Sequence, residues 1–324
     1  MTRKDADTRD AAEEWKRSAE RKASLKAARA TDEENAGPTR STRIKDFAYK
    51  KTPQKLKNAT DLQVRFRTGA IYVTLCIVCI LVSDISTLVF LCATAGICAG
   101  EFYYMLRADA KLPNEMLGII AAMLYPVSVY FLGVVGALYV SIALLLSLIV
   151  WYVFWLRARV PDVGVSFFGA AYTGLLLSGI VVVRTALPDP WGGVLVIGIF
   201  LSIWANDSFA YLVGSKIGKH KMAPVLSPKK SIEGAVGGVV GAALLGVIYA
   251  AATQGKMAEY ALICAVGALI SMVGDLAASA IKRNQNIKDY GKLIPGHGGI
   301  LDRFDSVIIT APVIYYLAKT ILGI

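Results

Sequence analysis

The chain has 324 residues, a formal net charge of +11 and 55% hydrophobic residues, with a mean hydropathy of +0.52. Apolar runs of about 18 to 22 residues, the length that crosses a bilayer, recur along it and exclude a water-soluble globular domain. The surplus cations sit in short stretches bounding these runs, which suits a membrane surface and gives no reason to invoke nucleic acid.

Residues 1–60 are charged and poor in apolar side chains. They bury too little surface to order themselves and are expected to form a separate basic cytosolic tail. With no apolar core before residue 66, the tail does not read as a signal or transit peptide. Its last part, the Lys/Arg-rich run from Lys45 to Lys57, abuts the first apolar stretch and reads as a segment held on anionic lipid, at about 1 kcal/mol per cation.

Residues 61–324 are expected to form one all-α polytopic membrane domain. Its nine spans fall at approximately 67–83, 86–106, 115–132, 134–156, 163–183, 191–214, 233–252, 258–281 and 304–322. Of the 35 Lys and Arg residues, 18 lie in residues 1–67, and only Arg184, Lys256 and Lys319 fall on the side opposite the N-terminus. The positive-inside rule then puts the N-terminus and the polar loops in the cytosol. The five cysteines, Cys76, Cys79, Cys92, Cys98 and Cys264, all lie inside apolar spans and read as small packing residues without structural disulfides. Gly234, Gly237, Gly238 and Gly241 in the seventh span form overlapping small-x-x-x-small pairs, a face that a neighbouring helix or a second copy of the chain could approach closely.

The chemistry is concentrated near the end of the chain. Between the eighth and ninth spans, Lys282, Arg283, Lys288, Lys292 and Arg303 stand beside Asp289, Asp302 and Asp305. A loop that only connects two helices needs none of these, and the combination suits polyphosphate and a divalent metal. A carboxylate at membrane depth costs about 2.5 to 3.5 kcal/mol, so Glu101, Asp207 and Asp275 each call for a purpose. Glu101 has the weakest case, near a span end beside interfacial tyrosines. Asp275, Ser279, Lys282 and Arg283 share a helical stripe and read as one wall of a polar cavity facing the cytosol. Asp302 and Asp305 would supply the other wall. Either could merely cap the ninth helix, but across a loop containing Gly291, Gly296, Gly298 and Gly299 they read with Asp275 as ligands for Mg²⁺. His297, flanked by glycines, reads as touching substrate or organising the loop.

A second cluster follows the sixth span. Asn206 and Asp207 lie inside that span, and Ser227, Lys229 and Lys230 belong to a Ser-Pro-Lys-Lys-Ser segment leading into a helix whose free N–H groups could hold an anion.

Taken together, Ser279, Lys282-Arg283, Lys288-Asp289, Gly291, Ile294-Pro295, His297-Gly298-Gly299-Ile300 and Asp302-Arg303-Phe304-Asp305 resemble the signature of the CDP-diacylglycerol synthases, or phosphatidate cytidylyltransferases. Asn206-Asp207, Ala210-Tyr211 and the segment from Ser227 to Gly234 are similar to that family as well. The resemblance covers about residues 62–324 and implies condensation of CTP with phosphatidic acid to CDP-diacylglycerol and pyrophosphate. It also implies Mg²⁺, with a second and plausibly monovalent cation, in a multi-pass protein of a bacterial-type inner membrane. Carried to matching positions, Asp275 and Asp302 would hold metal and Lys282, Arg283 and Lys288 would meet phosphates. Competing readings are a CTP-dependent enzyme acting on a polyprenol or another lipid, and an ion-coupled transporter using Asp207 and Asp275. Against the transporter, the sequence shows no repeat symmetry and its polar residues gather on one face.

Overall fold

The computed structural model describes residues 61–106, 113–224, 226–291, 293, 294 and 298–323. The basic tail, Lys292 and His297 lie outside the described residues. The elements in chain order are α1 (Asp61–Val82), α2 (Asp84–Leu106), α3 (Glu115–Leu132), α4 (Val134–Phe154), α5 (Val160–Ala170) and α6 (Gly179–Thr185), then α7 (Trp191–Ile217), β1 (Lys221–Ala223), β2 (Ser227–Ser231), α8 (Ile232–Ala252), α9 (Met257–Asn284) and α10 (Leu301–Leu322). A π-helical turn, Ala171–Leu175, follows α5 on the way to α6, and together they fill the predicted fifth span. Among the described residues, eight helical segments are long and apolar enough to cross a membrane, counting α5 to α6 as one. The apolar part of α1, Arg67–Val82, is shorter and rises roughly 24 Å.

Local chemistry explains where the helices begin and turn. The Asn114 side chain accepts from the Leu117 amide to open α3, and Gly133, at φ 63°, ends α3 and starts α4 in a conformation other residues avoid. Asp162 reaches back 2.8 Å to the Arg159 amide at the start of α5. Buried hydroxyls turn onto their own helices, as they must where no water reaches: Thr94 donates to the Phe90 carbonyl, Thr173 to Gly169 and Thr310 to Ser306.

The core gathers around Phe304 on α10, which is fully buried and meets Tyr72 of α1, Phe90 of α2 and Phe200 of α7 with ring centroids 6.0 to 6.2 Å apart. At the far end of the bundle the buried Arg184 ties three helix ends together. It donates from Nε to the Ile80 carbonyl at 3.1 Å and from Nη2 to Asp189 at 2.5 Å, and its Nη1 pairs with Asp84.

Two sequence expectations change. The segment between the sixth and seventh spans is no plain loop but an antiparallel hairpin, with Lys221 opposite Ser231 and Ala223 opposite Ser227. Its strands are too short to show an alternating pattern. The glycine face of α8 is filled within the chain, so it gives no support to a homodimer built on those residues. A Cβ on Gly237 would lie 2.5 Å from Val213, one on Gly238 2.4 Å from Asn206 Oδ1 and one on Gly241 2.3 Å from Phe209, all on α7. The outward face of α8 is instead Val236, Val240, Leu244 and Ile248.

Candidate active site

α10 begins at Leu301 and carries Asp302, Arg303 and Asp305 in its first turns, with Phe304 between them locked into the aromatic cluster. Anchoring Phe304 therefore fixes the azimuth of its charged neighbours. α9 runs alongside. A Cβ on Gly274 would come within 3.1 Å of the Asp305 carbonyl, so glycine at that point lets the two backbones approach and brings Asp275 beside Asp305.

Asp302 is buried and strongly engaged. Its Oδ1 accepts from Lys282 Nζ at 2.9 Å, and its Oδ2 accepts from the Tyr290 amide at 2.8 Å and the Gly299 amide at 2.9 Å. Lys282 also stands 3.8 Å from Asp305 Oδ2 and lies over the Tyr290 ring. Burial pushes the Tyr290 phenol well up, so the ring serves the cation as a neutral face and its hydroxyl donates to the Ala278 carbonyl at 3.2 Å. Across the bundle Lys230, on β2, forms an ion pair with Asp275. Lys229, its neighbour on β2, is exposed.

A cavity of about 230 Å³ opens beside these groups. Asp207 of α7 and Asp302, Arg303 and Asp305 of α10 give it charge. Tyr72 and Val73 of α1, Ile203 and Trp204 of α7 and Val307 of α10 give it an apolar side.

The predicted residues thus divide. Asp207, Asp302, Arg303 and Asp305 share the cavity, while Lys282, outside its lining, contacts Asp302 and Asp305, and Asp275 is paired with Lys230. Ser279 is half-buried on α9, and Lys288 and Asp289 are exposed on the loop, with Gly298 at φ 86° packed against Asp289. Arg283 turns away, donating from Nη1 to the Ile287 carbonyl at 3.1 Å and so closing the end of α9. Asn206 is buried between α7 and α8 against Gly238, a packing position. Ser227 lies on β2 at the register position of Ala223, away from the cavity lining.

Sequence reasoning undervalued two carboxylates. Glu101 accepts from the Ile300 and Leu301 amides at 3.1 and 2.8 Å, performing the capping that was considered for Asp302. Glu233 accepts from the Lys219 and His220 amides and meets His220 Nδ1 at 2.6 Å, closing the hairpin onto α8. An intramembrane carboxylate was the available signal for Glu101; its partners are backbone amides, which carry no residue signature.

The donor set can be tested against Mg²⁺. Among the described residues no group of three or more His, Cys, Asp or Glu side chains is arranged to hold a metal. Mg²⁺ needs only one or two carboxylates, taking water and substrate phosphates for the remainder, and the neighbouring Asp275 and Asp305 meet that requirement.

The profile of the cytidylyltransferase family matches residues 63–321, nearly all of the helical domain. The chain belongs to this family. A phosphatidate cytidylyltransferase of Bacillus subtilis is 29% identical over 265 residues, 79% of this chain and 97% of that protein. One of Synechocystis sp. is 39% identical over 175 residues, 53% of this chain and 58% of that protein. One of Rickettsia felis is 42% identical over 132 residues, 38% of this chain and 58% of that protein. The aligned part thus spans somewhat over half the length of the latter two relatives. The cytidylyltransferase match takes in every element that builds the cavity.

Proposed function

We propose that this cytidylyltransferase transfers the cytidylyl group of CTP to phosphatidic acid, giving CDP-diacylglycerol and pyrophosphate. The observation that carries the reading is the two-sided cavity, in which Asp207, Asp302, Arg303 and Asp305 face an apolar side of Tyr72, Ile203, Trp204 and Val307. A lipid phosphate brings both characters to one place, whereas a soluble substrate would need only the first. The family match and the names of the relatives support the same substrates.

A phosphatidate oxygen forms a bond to the α-phosphorus of CTP while the bond from that phosphorus to the β-bridging oxygen breaks, and the electron pair leaves with pyrophosphate. No side-chain nucleophile is needed, and the protein supplies alignment and charge. Arg303 meets phosphate inside the cavity, Lys288 and Lys229 draw the triphosphate from solution, and Lys282 holds Asp302 in place. Asp275 and Asp305 would hold Mg²⁺, with Asp302 and Asp207 completing the acidic surround. The ion, when bound, neutralises phosphate oxygens and stabilises charge on the leaving group. A second, monovalent cation belongs to the same reading.

In the membrane we place nine spans, with α1 crossing as the short first one, the N-terminus and the cavity cytosolic, and the bacterial inner membrane as the site. The supporting argument is the asymmetry of Lys and Arg between the two faces. The test is direct. Detergent-solubilised protein is incubated with labelled CTP, Mg²⁺ and phosphatidate, alongside a polyprenol control. Label entering CDP-diacylglycerol only with phosphatidate is the expected result; label entering the polyprenol, or no transfer to either, would overturn it.

A further inference from the structure

Two carboxylates take four amides of the segment that leads from α9 into α10. Asp302 takes Tyr290 and Gly299, and Glu101 takes Ile300 through Oε1 and Leu301 through Oε2. α10 has no side-chain cap of its own at Ile300. Its first free N–H groups are met instead from α2, by a residue 199 and 200 positions earlier in the chain. Two glycines make room for the visitor. A Cβ on Gly291 would lie 2.3 Å from Glu101 Oε1, and one on Gly299 would lie 2.4 Å from Oε2. At Gly299 all three nearest atoms belong to the Glu101 carboxyl group, so the absence of a side chain there serves this contact in particular.

We propose that Glu101 is a positioning residue for the reaction. By gripping both amides it fixes the first turn of α10 against α2, and that turn carries Asp302 onto Lys282 and Asp305 to the cavity. The same register lets Asp302 accept the Tyr290 and Gly299 amides. The catalytic half of the inference rests on the function proposed above; the structural half stands without it. A plain helix cap would make a different prediction, because it would support the fold and leave chemistry in the folded molecule alone.

Three variants separate the two. Glu101→Gln keeps the length of the side chain but turns an N–H donor onto a backbone N–H. Glu101→Asp is one methylene short of both amides. Gly299→Ala crowds the carboxyl group from the other side. For each, kcat per folded molecule should fall about ten- to a hundredfold, the range set by a misplacement of about 1 Å, with KM for CTP within about threefold of wild type. Hydrogen exchange gives a readout independent of activity: amides of residues 298–304 should exchange at least about tenfold faster in Glu101→Gln, while those of α8 keep their wild-type rates. Adding Gly299→Ala to Glu101→Ala should cost little more than Glu101→Ala alone, since the clash is then gone. Unchanged exchange at 298–304, or a lowered melting temperature with wild-type kcat in the folded fraction, would overturn the inference. Should wild-type protein prove inert toward CTP and phosphatidate, the proposed function fails, and the exchange comparison still decides whether Glu101 holds the loop.

Discussion

Asp305 and Asp275 are neighbours on adjacent helices, each with a cation nearby; Asp305 accepts the amide of its own neighbour Ser306 at 2.7 Å through Oδ1, whereas Asp302 meets two loop amides through Oδ2 and Lys282 through Oδ1. The three acidic residues should therefore fail differently. Asp275→Asn and Asp305→Asn should lower turnover by more than about tenfold, over ~1.4 kcal/mol of barrier, at saturating Mg²⁺ with little change in melting temperature. A variant keeping more than that tenth is not a metal ligand. Asp302→Asn should lose turnover and melt earlier as well, because it gives up the Lys282 pair and sets an amide group among N–H donors. Lys282→Met should destabilise by about 3–5 kcal/mol, leaving Asp302 almost fully buried with no cation. A melting curve for Lys282→Met that overlays wild type would show the pair to be dispensable. Residue identity was legible in the sequence for these groups, since acidic side chains next to lysines in an apolar chain announce themselves. Their division of labour was not, because it depends on which oxygen meets which amide.

At the scale of elements, α7 and α8 illustrate how little room the bundle leaves. Gly237, Gly238 and Gly241 present bare backbone to Val213, Asn206 and Phe209, so Gly238→Ala should destabilise by roughly 1–3 kcal/mol through overpacking. Val240→Ala on the outward face should change the melting temperature little, and comparing the two in detergent checks the direction of each face. If Val240→Ala is the costlier, that face is covered in the assembled protein. The helices themselves could be read from length and hydropathy, because a bilayer imposes both. The hairpin could not: three and five residues are too few for a period, and its closure by Glu233 depends on amides of Lys219 and His220 across 14 and 13 positions of sequence. The pairing of Lys230 with Asp275 was hidden for the same reason, being a contact between a strand and a helix that no local pattern connects.

For the whole molecule, the two ends have different work. Arg184 gathers Asp84, Asp189 and the Ile80 carbonyl at the end remote from the cavity, so it holds α1 and α2 to the turn before α7. Arg184→Lys offers one point charge where a planar fork serves three acceptors. It should lower stability by about 1–3 kcal/mol, discounted for the partial exposure of both aspartates, while turnover per folded molecule stays at the wild-type level. Equal melting temperatures would mean that a single charge suffices. The other end has a different dependence, on time. Glu101 waits for Leu301, which leaves the ribosome 200 residues later, a delay of roughly 10 to 40 s at ordinary rates of synthesis. Until then α2 carries an unspent carboxylate, and a product of translation that stops before Asp302 lacks three of the four charged residues of the cavity, Asp302, Arg303 and Asp305. A chain broken off before α10 thus keeps the apolar side of the cavity from α1 and α7 but has lost most of its charge.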